Sequence, residues 1–305
     1  MGFNIVFMGS PDFALPILKI LAYKFNVSGV VTQPDKPAGR GKKLTSPPVK
    51  ELATSLSIPF IQPRRMHEAE AMSWLQSLHP EMIVVAAFGQ ILKTDVLDLP
   101  KYGCINVHAS LLPRWRGAAP IQAAILNGDP ETGVTIMKMD PGVDTGPILS
   151  QKATRIRAGE TSGELSSRLS NLGAELLSDT LPGYIEGKVI PKSQDESLAT
   201  KAPMLRKEDG ALDFSQPAEF LERKVRAYNP WPGAFTDWQE RTFKILRARQ
   251  YPFDRAVPGE KYIIDSFPGF GTKEGILLLD EVQLAGKKPM AGDVFLRGAR
   301  GWVNA

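Results

Sequence analysis

The chain has a single cysteine, Cys104, and three histidines, His67, His79 and His108. One thiol excludes an internal disulfide framework and a cysteine zinc cage, and three dispersed imidazoles argue against a histidine metal cluster. No metal is expected, and a reducing, cytoplasmic setting is. Long hydrophobic runs are also missing. No stretch approaches the roughly 18 apolar residues that a membrane span requires, and the longest runs, such as 82–88, are strand-sized. The chain enters an apolar strand pattern within its first residues, so a cleaved targeting segment is not expected. An excess of one sign of charge is also nearly absent, with 37 basic and 33 acidic side chains and a net charge of +4. What is plentiful is core-forming material: 43% of the 305 residues are hydrophobic, which excludes low-complexity disorder.

The small excess of positive charge is concentrated. Between Pro34 and Lys50 stand Lys36, Arg40, Lys42, Lys43 and Lys50 against Asp35 alone, an excess equal to the whole net charge. Around this loop the first half of the chain alternates strand and helix signals. Apolar strand patterns at 4–8, 27–32, 59–61, 82–87 and 104–108 are separated by helical spacing through Tyr23 and at 48–56, 68–78 and 118–127. Two strands, 132–139 and 148–156, flank a turn at Asp140-Pro141-Gly142-Val143-Asp144. A long helix, 161–181, opens with Thr161 and Glu164 in capping-box spacing. This alternation predicts an α/β class, a Rossmann-like layered domain with a mainly parallel sheet. Residues 1–188 form that domain, 189–207 read as a linker, and 208–305 as a second domain. There, after a helix at Ala218–Ala227, short strands at 242–249, 261–265, 275–283 and 293–297 predict an all-β, OB-like barrel. Its charge is nearly balanced, with 15 basic and 14 acidic side chains over 207–305.

Ligands of open α/β sheets sit outside the carboxyl ends of strands. Gly9-Ser10-Pro11-Asp12 follows the first strand, but G-x-G-x-x-G is absent and no acid ends the second strand, so a dinucleotide site is a poor reading. Asn106-Val107-His108 ends another strand, where alternation puts an amide and an imidazole on one face. Downstream, the Asp140–Asp144 turn is fixed by glycine and proline; Asp140 reads as turn chemistry and Asp144 as free for reaction. No nucleophilic serine or cysteine completes the set, and Cys104 reads as a small buried hydrophobe. An amide, an imidazole and a carboxylate suit general acid–base chemistry with oxyanion support.

Asn106-x-His108, the segment Ser110-Leu111-Leu112-Pro113 and Asp144 resemble the folate-dependent formyltransferases. The resemblance extends to Gly9-Ser10-Pro11-Asp12-Phe13-Ala14, to the loop 33–43, to Trp115-Arg116-Gly117-Ala118-Ala119-Pro120 and to Tyr228-Asn229-Pro230-Trp231-Pro232-Gly233, and so covers essentially the whole chain. It implies 10-formyltetrahydrofolate as co-substrate and the α-amine of methionyl-initiator tRNA as acceptor, handled by a monomer with no membrane partner. It implies Asn106, His108 and Asp144 as the catalytic set, with Asn106 and His108 facing the developing oxyanion. Asp144 pairs with His108, fixes its tautomer and, directly or through a water, accepts the amine proton. Ala86, Phe88 and Gly89 with Asp140 and Val143 are implied to hold the pterin, with Ser110, Leu111, Leu112 and Pro113 as a further folate segment and Ile91 and Leu92 as apolar walls. Lys36, Arg40, Lys42 and Lys43 are implied to meet tRNA phosphates, Arg40 most critically. Arg247, Arg249, Lys287 and Lys288 of the second domain offer an auxiliary docking surface. The same Asn/His/Asp set also suits a formyltransferase acting on a small amine, or a hydrolase of the same folate; the basic loop and second domain favour the nucleic acid. A non-enzymatic RNA-binding protein is the remaining alternative, against which the intact triad argues.

Overall fold

Ile5, Val6, Phe7 and Met8 are each fully buried. An unalternating apolar run of this kind is satisfied only as a strand covered on both faces. The computed structural model describes residues 3–38 and 43–302. In it Asn4–Gly9 (β1) lies inside a seven-stranded sheet. The other strands are Asn26–Val31 (β2), Phe60–Ile61 (β3), Met82–Ala86 (β4), Cys104–His108 (β5), Glu131–Lys138 (β6) and Ile148–Arg155 (β7), in the order β7-β6-β5-β4-β1-β2-β3. The five strands from β5 to β3 are parallel, while β6 and β7 are antiparallel to their neighbours. Helices alternate with them: Leu15–Lys24 (α1), Pro48–Ser55 (α2), Ala69–Ser77 (α3), Thr94–Leu97 (α4), Pro120–Leu126 (α5) and Ser162–Ile185 (α6). The expected mainly parallel α/β layer is therefore present. Gly173 allows α6 to lie close on the sheet, since a Cβ there would come within 2.8 Å of Val107 Cγ1. The capping box forms as spaced: Thr161 N–H donates to Glu164 Oε2 (2.8 Å) and Glu164 N–H to Thr161 Oγ1 (3.3 Å).

Contacts divide the chain into two compact units. The first comprises the chain up to Pro120 with Glu131–Arg155 and Ser166–Ala202; the second comprises Ile121–Pro130, Ile156–Leu165 and the chain from Pro203 onward. The second unit carries Ala218–Ala227 (α7) and an antiparallel sheet. Its strands are Ala234–Trp238 (β8), Arg241–Tyr251 (β9), Lys261–Ile264 (β10), Phe267–Gly271 (β11), Ile276–Leu284 (β12) and Met290–Ala291 (β13). The order is β8-β9-β12-β11-β10, with β13 on β12. No helix among the described residues is long and apolar enough to cross a membrane.

Two expected elements change. The strand expected at 293–297 is a helix, Gly292–Gly298 (α8). Its apolar run is too short for periodicity to decide, and the helix is favoured by an Asp293–Arg297 pair one turn apart (2.9 Å) with Phe295 turned into the core. The long helix also continues past Pro182 to Ile185, because near a helix end a proline removes little of the hydrogen-bond ladder. Strands β8 and β11 were not expected; Pro268 and two glycines mask β11 as a turn.

The core of the second unit holds an aromatic cluster among aliphatic side chains. Trp302 stacks edge-on against Phe243, Phe270 and Phe295, and its indole N–H donates to Tyr262 O at 3.0 Å. Trp302→Ala is expected to cost this unit about 3–5 kcal/mol, read as a loss of its stability in denaturant titrations followed by hydrogen exchange in β9 and β12.

Candidate active site

Asn106 and His108 project from β5 on one face and are both buried. Asp144 reaches them from the β6–β7 turn. Lys138 pairs with Ile105 and Thr135 with His108, so β6 leaves the sheet on the amino-terminal side of β5. The turn must therefore double back along the face that Asn106 and His108 occupy. It does so with Asp144 at φ 53°, a left-handed conformation that is costly for a non-glycine residue. Asp140 supplies the bend, its Oδ1 accepting from Gly142 N–H (3.1 Å) and Thr145 Oγ1 (2.7 Å). This is the turn chemistry expected of Asp140.

The three side chains converge on the Asp144 carboxylate. Its Oδ1 accepts from Asn106 Nδ2 at 3.4 Å, and its Oδ2 lies 3.6 Å from His108 Nδ1 and accepts from Gly117 N–H at 2.9 Å. A carboxylate of this kind only accepts, so the Asn106 amide is oriented with its nitrogen toward Asp144 and keeps a second N–H for another partner. His108 Nε2 lies 3.0 Å from Trp115 O. A carbonyl cannot donate, so Nε2 carries the proton and Nδ1 is the nitrogen turned to Asp144. Trp115 thus fixes the proton on Nε2, a contribution the sequence did not show, whereas Asp144, an acceptor 3.6 Å from Nδ1, does not select that tautomer as expected. Trp115 itself is at φ 65°.

Three further groups were missed. Thr135, fully buried opposite His108, receives Leu112 N–H (3.1 Å) and Gln151 Nε2 (2.9 Å) and donates to Ser110 O (2.7 Å). Gln194 Nε2 donates to the Asp144 and Gly146 carbonyls, and Arg116 binds both Gln194 and Glu196. Arg116 is held above its ordinary value first by its hydrogen bond to Glu196, with the charges of Asp140 and Asp144 adding to the effect. Glu196 is correspondingly lowered by Arg116. Part of the segment expected to be a linker is thereby bound into the first unit: Ile148 pairs with Lys192, and Lys201–Ala202 forms a parallel ladder with Arg116–Gly117.

The residues expected to hold a folate divide in two. Ala86 ends β4, and Ala87 and Gly89 follow at positive φ (47° and 76°), which turns successive peptide groups out of the ladder. Val143, 59% exposed, presents an apolar surface on the turn. Phe88, by contrast, is core: its ring is buried and its carbonyl accepts from Gln33 Nε2 at 3.1 Å. Leu92 is core as well, while Ile91 is exposed. Ser110 donates its hydroxyl to Arg114 O (2.6 Å), and both backbone polar groups of Leu112 are engaged, the carbonyl by Gln151. Leu111 packs where Gly133 leaves no room for a Cβ, and Leu112–Pro113 is a cis peptide. Ser110, Leu111, Leu112 and Pro113 therefore build the wall under His108.

Of the basic residues, Lys36 and Lys43 stand on a small antiparallel ladder, Lys36–Ala38 with Lys43–Thr45. Arg40 and Lys42 lie outside the described residues. Lys50 is neutralised by Asp35 at 2.7 Å. Gln62 and Lys50, its leading hydrogen-bond partners, hold Asp35 below its ordinary value. In the second unit Arg247 pairs with Glu164 and Glu281, and Arg249 with Asp280, so these charges are balanced internally. Among the described residues no group of three or more His, Cys, Asp and Glu side chains is placed to hold a metal ion. Burial pushes the Cys104 thiol up to about 12, with Asp98 contributing, and the thiol faces Val96 O. A neutral, buried thiol is a poor nucleophile. Native protein at pH 8 is expected to resist iodoacetamide at Cys104 and to react once unfolded; rapid labelling of the native chain, read by mass spectrometry, would contradict this placement.

Known families match this sequence. The family model described as formyl transferase matches residues 3–181, and that described as formyl transferase, C-terminal domain, matches residues 204–300. The methionyl-tRNA formyltransferase of Magnetococcus marinus is 47% identical over 300 residues, covering 97% of this chain and 96% of that protein. That of Citrifermentans bemidjiense is 46% identical over 302 residues, covering 97% and 94%. Among solved structures, WlaRD, a sugar 3N-formyl transferase in the presence of dTDP and 5-N-formyl-THF, has a TM-score of 0.69 at 17% identity and covers 94% of this chain and 99% of that one. The methionyl-tRNA formyltransferase from Clostridium thermocellum has a TM-score of 0.56 at 17% identity, covering 82% and 94%; at these identities the structures show a common fold. By the extent and identity of its match to curated relatives, the chain belongs to the methionyl-tRNA formyltransferase family.

Proposed function

We propose that the protein transfers the formyl group of 10-formyltetrahydrofolate to the α-amino group of methionyl-initiator tRNA. The observation that carries this reading is the meeting of Asn106, His108 and Asp144 at one carboxylate. Formyl transfer needs a donor for the charge that develops on the formyl oxygen and an acceptor for the proton that the attacking amine sheds. Asn106 has one N–H committed to Asp144 and a second to offer the oxygen. A donor of this type contributes about 3–4 kcal/mol when it is preorganised in a site closed to water. His108, held by Trp115 O and facing Asp144 through Nδ1, supplies the adjoining polar edge. Asp144, kept in place by Gly117 N–H, accepts the amine proton directly or through a water, and a proton returns to the folate nitrogen as its bond to the formyl carbon breaks. When bound, 10-formyltetrahydrofolate supplies the formyl carbon; the groups proposed to hold it are the backbone of Ala86, Phe88 and Gly89, the turn residues Asp140 and Val143, and the wall 110–113. The positive-φ turn after β4 and the exposed Val143 fit a flat ligand with a polar edge and an apolar face.

Lys36, Arg40, Lys42 and Lys43 are proposed to contact the acceptor end of the tRNA. The support is electrostatic: once Lys50 is paired with Asp35, the remaining excess charge of the chain lies in this loop. On this reading the protein acts as a monomer in the cytoplasm, the reducing compartment that suits its one thiol.

The direct test is formyl transfer from labelled 10-formyltetrahydrofolate to methionyl-initiator tRNA, uncharged tRNA and small primary amines in parallel. Turnover is expected only with the charged tRNA; faster turnover of a small amine would overturn the acceptor assignment. Asn106→Ala is expected to lower kcat about 10²–10³-fold with the protein still folded by circular dichroism. Arg40→Ala is expected to raise the KM for charged tRNA while leaving that for the folate unchanged, and tRNA affinity is expected to weaken as salt rises. Equal KM values in variant and parent, or salt-independent binding, would remove the loop from the tRNA site.

A further inference from the structure

The two backbone groups that orient the site come from one short loop. Trp115 O takes the proton of His108 Nε2, and Gly117 N–H meets Asp144. This loop is bound by a segment far along the chain. Thr200 N–H donates to Pro113 O (3.2 Å), Trp115 N–H to Thr200 Oγ1 (2.9 Å) and Arg116 N–H to Thr200 O (2.9 Å). Gly117 is fixed by the same contact: at φ 122° its missing Cβ would lie 2.5 Å from Ala202 O.

Gln194 stands at the junction of this segment with the Asp144 turn, and both ends of its carboxamide are used. Nε2 donates to Asp144 O (2.8 Å) and Gly146 O (2.7 Å). Oε1 accepts from Arg116 Nε (3.0 Å) and Nη2 (2.8 Å). Arg116, itself buried, completes its fork on Glu196 through Nη1 (2.8 Å) and Nη2 (2.7 Å). The amide cannot be flipped, because guanidinium groups only donate and carbonyls only accept.

We propose that Gln194 is a positioning residue for Asp144, clamping the backbone of the Asp144–Gly146 turn to the Arg116 guanidinium and so holding the strained turn with its carboxylate against Asn106, His108 and Gly117. The role follows from the doubling-back of the turn. Asp144 sits in a conformation that its own backbone does not favour, and two carbonyls flanking it point at one side-chain nitrogen. A bond confined to the turn would stiffen it; a bond from Arg116 also fixes it relative to the loop that orients His108. The functional consequence rests on the reading of the site given above, while the geometric claim stands apart from it.

Gln194→Glu separates the two ends of the clamp. It keeps the acceptor for Arg116 and replaces the donor with an oxygen facing two carbonyls. Misplacing a reacting group by about 1 Å costs up to about a hundredfold in rate. Gln194→Glu is therefore expected to lower kcat about ten- to a hundredfold, with KM for both substrates within about twofold. Its crystal structure is expected to show the Asp144 carboxylate displaced from Gly117 N–H. Wild-type kcat in the variant, a loss expressed only in KM, or an Asp144 turn unmoved in the crystal would overturn the proposal. Should Gln194→Glu fail to fold, Gln194→Ala, which introduces no repulsion, is judged by the same measurements. The parent protein is assayed alongside: if it transfers no formyl group, the functional reading falls, and the position of Asp144 in the variant crystal still decides the clamp.

Discussion

The site depends on a carboxylate held where the chain does not readily put it. Asp144 belongs to a hairpin that exits the sheet on the amino-terminal side of β5, away from the end where His108 stands, as the antiparallel pairing of β6 with β5 dictates. Its return is sustained by bonds from several directions: Asp140 within the turn, Gly117 on the carboxylate, Gln194 on the flanking carbonyls. Strain stored at one residue persists only when the surroundings over-determine it. Each restraint comes from a different part of the chain, so the geometry of the candidate site depends on the packing of the 113–117 loop and the 194–202 segment against it. Ala87 and Trp115 are likewise at positive φ.

Orientation of the other two groups follows from elementary donor and acceptor rules. Trp115 O leaves His108 no choice about which nitrogen is protonated, and the carboxylate leaves Asn106 no choice about which end of its amide turns inward. The site therefore enters the reaction with its polar groups already aimed, which is the condition under which hydrogen-bond donors stabilise developing charge most effectively. Charge outside the site is sorted differently. Arg247 and Arg249 of the second unit pair with acids of that unit, and Lys50 with Asp35, which leaves the excess of the 34–50 segment on Lys36, Arg40, Lys42 and Lys43.

Much of this was legible in the sequence, and the exceptions share a cause. The parallel sheet followed from apolar runs such as 82–86, and the Asn-x-His pair from strand alternation, because both are local periodicities. The capping box at Thr161 was legible for the same reason. Helix α8 was not, because five residues with three adjacent apolar positions satisfy either period. The stretch 189–202 gave no period at all: its bonds are made by side chains such as Gln194 and Glu196 to residues some 50 to 80 positions away, and no local pattern encodes them. Thr135 was invisible in the same way, a strand residue whose hydroxyl is used three times. The wall 110–113 was readable as part of the family pattern, but its internal engagement appears only in three dimensions.

The proposed proton transfer requires the charge of Asp144, beyond its shape. Asp144→Asn keeps the size of the side chain and an oxygen for Gly117 N–H while removing the negative charge and the proton acceptor. The measurement that bears most directly on the account is the single-turnover rate of formyl transfer by this variant with both substrates saturating. A fall of about 10²–10⁴-fold, with binding of both substrates retained, is the predicted result. A single-turnover rate equal to that of the parent would contradict it.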